Sequence, residues 1–332
     1  MALLDIRNLT IEIETPTGLV KAVERVSITM AEGEIRALVG ESGSGKSLIA
    51  KAILGVTKPT WRIQADRMRL GKLDLLTLTP KQRREIMGRE IAMIFQEPAS
   101  CLDPAEKVGE QLREAIPWSL FKGHFWQRIH WRNREARKLL HRVGIKNPHK
   151  VMHSYPYQLS DGICQKIMIA MAIAGQPRLL VADEPTTAME TTTAMQILRL
   201  LDKLNKLNNT AILLVSHDFR TLADLTDQVT VLYCGQTVES GQSKQVLENP
   251  NHPYTSALID AVPNFRDGLI PKSRLPSLPG ATPSLQHLPI GCRLGPRCPR
   301  AQRECVQQPP LRQFKGHYFA CHYPLNWDEN NG

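Results

Sequence analysis

The sequence predicts an α/β fold, and two observations carry that prediction. The first is an apolar run over residues 35–39, followed by Gly40-Glu41-Ser42-Gly43-Ser44-Gly45-Lys46-Ser47 and then a stretch over 48–54 able to form a helix. The second is a set of three further apolar runs, over 91–95, 179–182 and 211–215. Each ends in polar residues: Gln96, the pair Asp183-Glu184, and Ser216-His217-Asp218. Open α/β sheets place their ligand contacts at the carboxyl ends of buried strands in this way.

The octapeptide at 40–47 fits the phosphate-loop pattern G-x-x-x-x-G-K-[ST]. Glycines 40, 43 and 45 let the backbone turn tightly and aim its N–H groups at a polyphosphate. Lys46 would reach the β- and γ-phosphates, and the Ser47 hydroxyl would ligate Mg²⁺. A loop that merely links strand to helix would not need the Lys-Ser pair in this setting. The stretch reads as a nucleotide site.

Composition narrows the rest. A chain of 332 residues accommodates one large domain and a smaller one, and 42% hydrophobic residues is ordinary for a globular protein. No apolar run approaches the ~20 residues that span a bilayer. The first seven residues lack a signal-peptide pattern, so the chain is expected in the cytoplasm, where it can still sit on a membrane protein. A formal net charge of +10 points to contact with lipid headgroups, nucleic acid or an acidic partner. Seven cysteines in a cytosolic chain argue against a disulfide framework.

In chain order, residues 3–13 and 20–30 read as strands. Trp61 is the first aromatic residue, which leaves no earlier ring to stack on an adenine base. Gln96, at a strand end, is either a ligand contact or an ordinary loop residue. Residues 122–150 carry nine Lys/Arg and one acid, Glu135, with Phe125, Trp126 and Trp131 interleaved. This segment is a solvated helical face, a surface near lipid headgroups or a nucleic-acid patch, since the last two share their electrostatics. Leu139, Leu140, Val143 and Ile145 favour a helix with one buried side.

The block at 155–166 opens a long helix through Ala174, with Ser160 placed as its N-cap or as part of an anion site. Asp183 can hold Mg²⁺ and Glu184 can polarise an attacking water, while His217 can contact a γ-phosphate. Residues 229–233 and 237–239 around Gly235-Gln236 look like a hairpin. After Asn249 the composition changes. His252-Pro253-Tyr254-Thr255 opens a short helix, and Pro263, Pro271, Pro276, Pro279 and Pro283 make an irregular linker. Cys292, Cys298, Cys305 and Cys321 follow, spaced C-x5-C-x6-C-x15-C. They could hold zinc or an iron–sulfur cluster, or be four buried free thiols; the wide spacings fit neither tight metal pattern well.

The phosphate loop, Gln96, Leu159-Ser160-Asp161-Gly162, Asp183-Glu184 and His217 occur in an order that resembles the ATPase subunits of ABC transporters. Phe95-Gln96-Glu97-Pro98, His252-Pro253-Tyr254-Thr255 and the four cysteines are similar to the oligopeptide/dipeptide-permease branch. Trp126, Trp131, Arg132, Gln165-Lys166-Ile167-Met168 and the stretch 291–298 are similar to its antimicrobial-peptide systems. The resemblance covers essentially the whole chain.

It implies an ABC-type P-loop ATPase domain over 1–250, with a RecA-like core sheet, an antiparallel β subdomain and a helical subdomain at about 97–175. A smaller cysteine-bearing C-terminal domain would occupy 251–332. It also implies a motor that works as a pair, two ATPases enclosing two ATP molecules. Lys46, Ser47, Gln96, Asp183, Glu184 and His217 would serve this chain's nucleotide, and Ser160 and Gly162 would cap the partner's. The implied partners are a second ATPase in a heterodimer, two transmembrane permease subunits and, indirectly, a periplasmic peptide-binding protein, with no nucleic acid. The implied place is the cytoplasmic face of a bacterial inner membrane, and the implied cofactors are ATP, Mg²⁺ and a [4Fe–4S] cluster.

Three departures from the family pattern stand out. Asp161 replaces the usual signature glycine, Thr187-Ala188-Met189-Glu190 replaces a stretch ending in Leu-Asp, and the early aromatic is missing. The first puts a carboxylate beside a γ-phosphate and predicts an asymmetric pair of sites. A soluble ABC ATPase acting on nucleic acid or ribosomes is the rival reading, although such proteins usually carry two cassettes and this chain has one. A kinase or GTPase leaves the signature block and His217 unexplained, and polyamines are the alternative cargo.

Overall fold

A computed structural model describes residues 2–187, 189–261 and 278–327, apart from the side chains of Phe125 and Arg220. Pro263, Pro271 and Pro276 of the expected linker, and Ala188, lie outside the described residues. Two compact units divide the chain, one of Met1–Thr77 with Val215–Gly332 and one of Leu78–Leu214. These cuts differ from a boundary at 250/251.

The first unit begins with strands β1 (Leu4–Thr15) and β2 (Gly18–Met30), an antiparallel hairpin in register from Leu4 opposite Met30 to Thr15 opposite Gly18. Leu4, Ile6, Leu9 and Ile11 are the buried residues of β1, with the period of two broken at a register shift between Ile6 and Leu9. β3 (Ile35–Val39) leads through the phosphate loop into helix α1 (Lys46–Leu54), which ends on Gly55 at φ 72. β4 (Trp61–Gln64), β5 (Arg67–Leu70) and β6 (Leu73–Asp74) complete a sheet of order β2-β1-β5-β6, with β4 also paired to β1. Trp61 lies opposite Ile13 in that pairing.

The second unit starts with α2 (Pro80–Ile86), held by a reciprocal cap between Thr79 and Gln82. β7 (Ile91–Ile94) is followed by the helices α3 (Pro98–Cys101), α4 (Val108–Ala115), α5 (Arg128–Arg142), α6 (Pro148–His153) and α7 (Asp161–Ala172). β8 (Leu179–Asp183) pairs in parallel with β7, Ile91 opposite Leu179 and Ile94 opposite Ala182. Every residue of both strands is buried, as expected of a parallel sheet covered on both faces. α8 (Thr191–Asn208) follows, and β9 (Ala211–Ser216) lies beside β8. Gly175 is required by packing, since a Cβ there would stand 1.7 Å from the Gly88 carbonyl oxygen.

Back in the first unit come α9 (Phe219–Leu222), β10 (Gln228–Tyr233), β11 (Gln236–Gln242), α10 (Ser243–Glu248) and α11 (Pro253–Asp260). Two short strands close the chain, β12 (Arg312–Phe314) and β13 (His317–Phe319). The strand order here is β12-β13-β11-β10-β3, with β10 parallel to β3 and the other pairs antiparallel. The β10–β11 turn is Cys234-Gly235, both at positive φ (46 and 82), the geometry of the primed turns that match strand twist.

Several expectations shift at their edges. The run at 91–95 stops at Ile94, and Phe95 is partly exposed. α7 ends at Ala172 rather than Ala174. Val143 and Ile145 are buried but fall beyond α5, whose buried side is Ala136, Leu139 and Leu140. Ser160 stands in the N-cap position of α7, yet its side chain makes no cap bond; its carbonyl accepts from the N–H groups of Ile163 and Cys164, both at 2.9 Å.

Candidate functional site

The predicted residues fall in both units, and each set is described within its own. In the first unit, all of β3 except Arg36 is buried, so the chain leaves the sheet at Gly40 with a fixed direction. A Cβ on Gly40, at φ 153, would meet the Leu232 carbonyl oxygen at 2.2 Å, so no side chain fits there. Gly43 behaves differently. At φ 79 it needs glycine for its conformation, while a Cβ would meet nothing within 4 Å. That open glycine corner is where a polyphosphate can approach the backbone, and the loop therefore fits ATP.

Lys46 is buried, and its ammonium donates to the Gly40 carbonyl at 2.7 Å, the Glu41 carbonyl at 2.9 Å and the Ser44 hydroxyl at 3.3 Å. Ser42 is exposed and Ser47 half-buried at the start of α1. Glu41 is clasped by residues from far along the chain. Its N–H donates to the Tyr254 hydroxyl at 2.6 Å, and its carboxylate accepts from Arg297 at 2.9 and 3.2 Å and from Thr282 at 2.5 Å. Burial pushes the Glu41 carboxyl up, but the Arg297 and Thr282 hydrogen bonds and the charges of Arg297 and Lys46 outweigh it, and the net shift is downward. Sequence reasoning missed this clasp. His217, just past β9, is exposed, and the neighbouring Asp218 caps α9 through the Thr221 N–H.

In the second unit, β8 delivers Asp183, buried, and Glu184, which adopts φ 47. β7 ends similarly, with Glu97 at φ 60 after Gln96. Left-handed backbone at non-glycine residues is costly and clusters at functional sites. The Glu184 carboxylate accepts from Thr187 Oγ1 at 2.8 Å and from Gln96 Nε2 at 3.4 Å, so the structure brings Gln96 and Glu184 together. Gln165 of α7 donates to the Pro185 carbonyl at 2.9 Å, tying the signature helix to the carboxylate loop. Asp161 and Gly162 form the first residues of α7, and a Cβ on Gly162 would touch Thr193 at 3.0 Å.

The four terminal cysteines, expected as metal ligands, line one small cavity of about 10 Å³ together with His252 and His322. Cys292 N–H donates to the Cys305 carbonyl at 2.9 Å. Burial raises the Cys292 and Cys298 thiols and pushes Cys321 up to about 11. The thiols converge, but among the described residues no group of three His, Cys, Asp or Glu is arranged to hold a metal ion. Burial also favours the protonated thiols, which ligate only once an ion displaces the proton.

Nearby, the fully buried Glu239 accepts from the N–H groups of Asn251 and His252, at 2.6 and 3.0 Å, and pairs with the His317 ring at 2.6 Å. His252 accepts the Tyr254 N–H on Nδ1 at 3.1 Å and so caps α11; burial lowers it to about 4 against the opposing charge of Glu239. This cap positions the tyrosine that holds Glu41.

The basic segment of the second unit lines a cavity of about 920 Å³ with Lys122, His130, Arg134, Arg137, Lys138 and His141 beside Trp131. Trp126 is 77% exposed and Ile129 70%. Arg132 stacks 3.3 Å over the Trp118 ring. Among the described residues no helix is long and apolar enough to cross a membrane.

Comparison with known proteins gives the family. A family model described as ABC transporter matches residues 23–187, and one described as the C-terminal region of oligopeptide/dipeptide transporters matches 238–305. The peptide transport system ATP-binding protein SapD of Salmonella typhimurium is 61% identical over 99% of both chains. SapD of Haemophilus influenzae is 53% identical over 100% of this chain and 95% of its own. The dipeptide transport ATP-binding protein DppD of Escherichia coli K12 is 41% identical over 98% of each. A dimeric ATP-binding cassette solved with ADP and Pi superposes with a TM-score of 0.63 at 24% identity, covering 72% of this chain and 98% of that one, which supports the fold. The chain belongs to the ABC transporter family, in its oligopeptide/dipeptide branch of ATP-binding subunits.

Proposed function

We propose that this chain is the ATP-binding subunit of an inner-membrane importer and couples ATP hydrolysis to the uptake of peptides, antimicrobial peptides among them. The observation that carries this reading is the glycine-cornered loop around Lys46 in a chain that is similar, end to end, to peptide-transport ATP-binding proteins. Loop amides and the Lys46 ammonium bind the polyphosphate; the ammonium exchanges its carbonyl partners for phosphate oxygens. Ser47, Gln96 and Asp183 would hold Mg²⁺, which when bound offsets charge developing on the phosphates. Glu184 accepts a proton from the attacking water, its carboxylate oriented by Thr187 and Gln96. His217 would contact the γ-phosphate, and Ser160 and Gly162 would complete the site of a second, different ATPase.

The subunit would sit on the cytoplasmic face against two permease subunits, with a periplasmic binding protein acting indirectly. The exposed Trp126 and the basic cavity suit a place beside anionic headgroups. Coexpression with the permease subunits tests this: the chain should follow the membranes, hydrolyse ATP in the purified complex and support uptake of labelled peptide. Recovery on ribosomes or nucleic acid would sink the reading, and uptake of polyamine without peptide would replace its cargo.

The family resemblance, rather than any metal geometry among the described residues, supports a second reading, that Cys292, Cys298, Cys305 and Cys321 would hold a [4Fe–4S] cluster. Anaerobically purified chain should then be brown with about four irons, and Cys292→Ser should bleach it. Zinc in place of iron would refute the cluster.

A further inference from the structure

Glu41 supplies the only carboxylate of the phosphate loop, and it lies five positions before the lysine that must meet the phosphates. Its own carbonyl already accepts from Lys46, so its side chain starts within reach of that ammonium. A loose carboxylate there would either capture Lys46 or repel the incoming polyphosphate. The structure prevents both outcomes from a distance, with groups 213, 241 and 256 residues away.

Arg297 makes the principal contact. Its side chain is nearly buried, at 9% exposed, and its two terminal nitrogens meet the two Glu41 oxygens at 2.9 and 3.2 Å, a two-pronged pairing. Other donors hold it in place: Nε donates to the Pro279 carbonyl at 3.1 Å, and Nη1 also reaches the Tyr233 hydroxyl at 3.2 Å. The Tyr233 and Tyr254 rings pack 4.7 Å apart, and the Tyr254 hydroxyl takes the Glu41 N–H. Backbone and side chain of one loop residue are thus fixed together.

We propose that Arg297, supported by Tyr254 and Thr282, is a positioning residue of the nucleotide site: it holds the Glu41 carboxylate off Lys46 and keeps the loop mouth open to polyphosphate. The proposal rests on the reading of this loop as the ATP site. It gives the C-terminal segment a part in nucleotide binding. A plain anchor for that segment would have used any buried pairing; this one is aimed at the single charge in the loop that opposes the substrate.

Titration of the full-length chain with Mg-ATP tests it. Arg297→Ala should weaken ATP binding about tenfold, which is ~1.4 kcal/mol. The double variant Glu41→Gln/Arg297→Ala should return to within about threefold of the parent chain, because the unneutralised charge has gone. A merely structural pairing would leave the double variant as weak as Arg297→Ala. If Arg297→Ala does not fold, Arg297→Lys keeps the charge but loses the fork; it should lose about threefold, recovered by Glu41→Gln. Unchanged affinity in the single variant that folds, or no recovery in the double, overturns the proposal. Lys46→Ala runs alongside: if it too leaves ATP affinity unchanged, the loop reading itself has failed.

Discussion

Two strand ends hold the residues proposed to bind and hydrolyse ATP, and they are built in opposite ways. After β3, the chain turns on glycines, satisfies an ammonium with backbone carbonyls and is held by one charge and two hydroxyls more than two hundred residues away. After β8, the turn is made by Glu184 itself at φ 47, without glycine, and its carboxylate is held by Thr187 three residues on and by Gln96 of the paired strand's end. Such backbone costs ~1–3 kcal/mol and persists only where packing dictates it. A binding site gains from backbone freedom and a distant brace, whereas a hydrolytic carboxylate gains from local overdetermination.

Breaking the second end should have the largest effect. Glu184→Gln keeps the side-chain shape but removes the base, so turnover in the purified complex should fall at least ~10²-fold while ATP still binds. Turnover close to the parent's would take Glu184 out of that role.

Acid attacks the other end, through the cap on α11. His252 titrates at about 4 in the fold against an ordinary 6.5. As pH falls through 6.5 the unfolded chain takes the proton first, so stability present above 6.5 is lost progressively down to about 4. Between pH 7 and pH 5 the loss from this group should be roughly 2 kcal/mol, read from urea midpoints. His252→Asn, which cannot take that proton, should flatten this part of the slope; equal slopes would remove His252 as its source.

Lys46→Ala deletes a phosphate contact present before chemistry, so ATP affinity should fall about tenfold or more. The smallest expected effect belongs to Asp161. Its carboxylate would lie against the partner's γ-phosphate, so Asp161→Gly should raise hydrolysis there several-fold, about 1 kcal/mol. The assay needs a complex whose other site is silenced by Glu184→Gln. No gain in that background would mean the carboxylate points away from the nucleotide.

Legibility followed sequence distance. β3 is legible to the residue, because its apolar run, the glycine turn and the lysine lie within twelve neighbouring positions. α8 was missed, although Ile197, Leu198, Leu201 and Leu204 repeat at helical spacing; three leading threonines concealed its start. Ser160 had the right residue type in the right place and still makes no cap bond, since position alone does not orient a hydroxyl. The three-residue strands β12 and β13 are too short for any period to appear; only the pairing of β13 to β11 and of β12 to β13 defines them.

The sequence by itself determined the nucleotide loop, the buried parallel strands and the polar residues at their ends, because adjacent residues encode backbone conformation and burial. Tertiary structure alone decided that Tyr254, Thr282 and Arg297 clasp Glu41 and that four unevenly spaced cysteines face one cavity. Contacts between positions 213 to 256 apart leave no periodic trace in a chain. They exist because folding buries the Arg297 guanidinium beside a half-buried loop carboxylate, and a buried charge must find its partner wherever the fold delivers one.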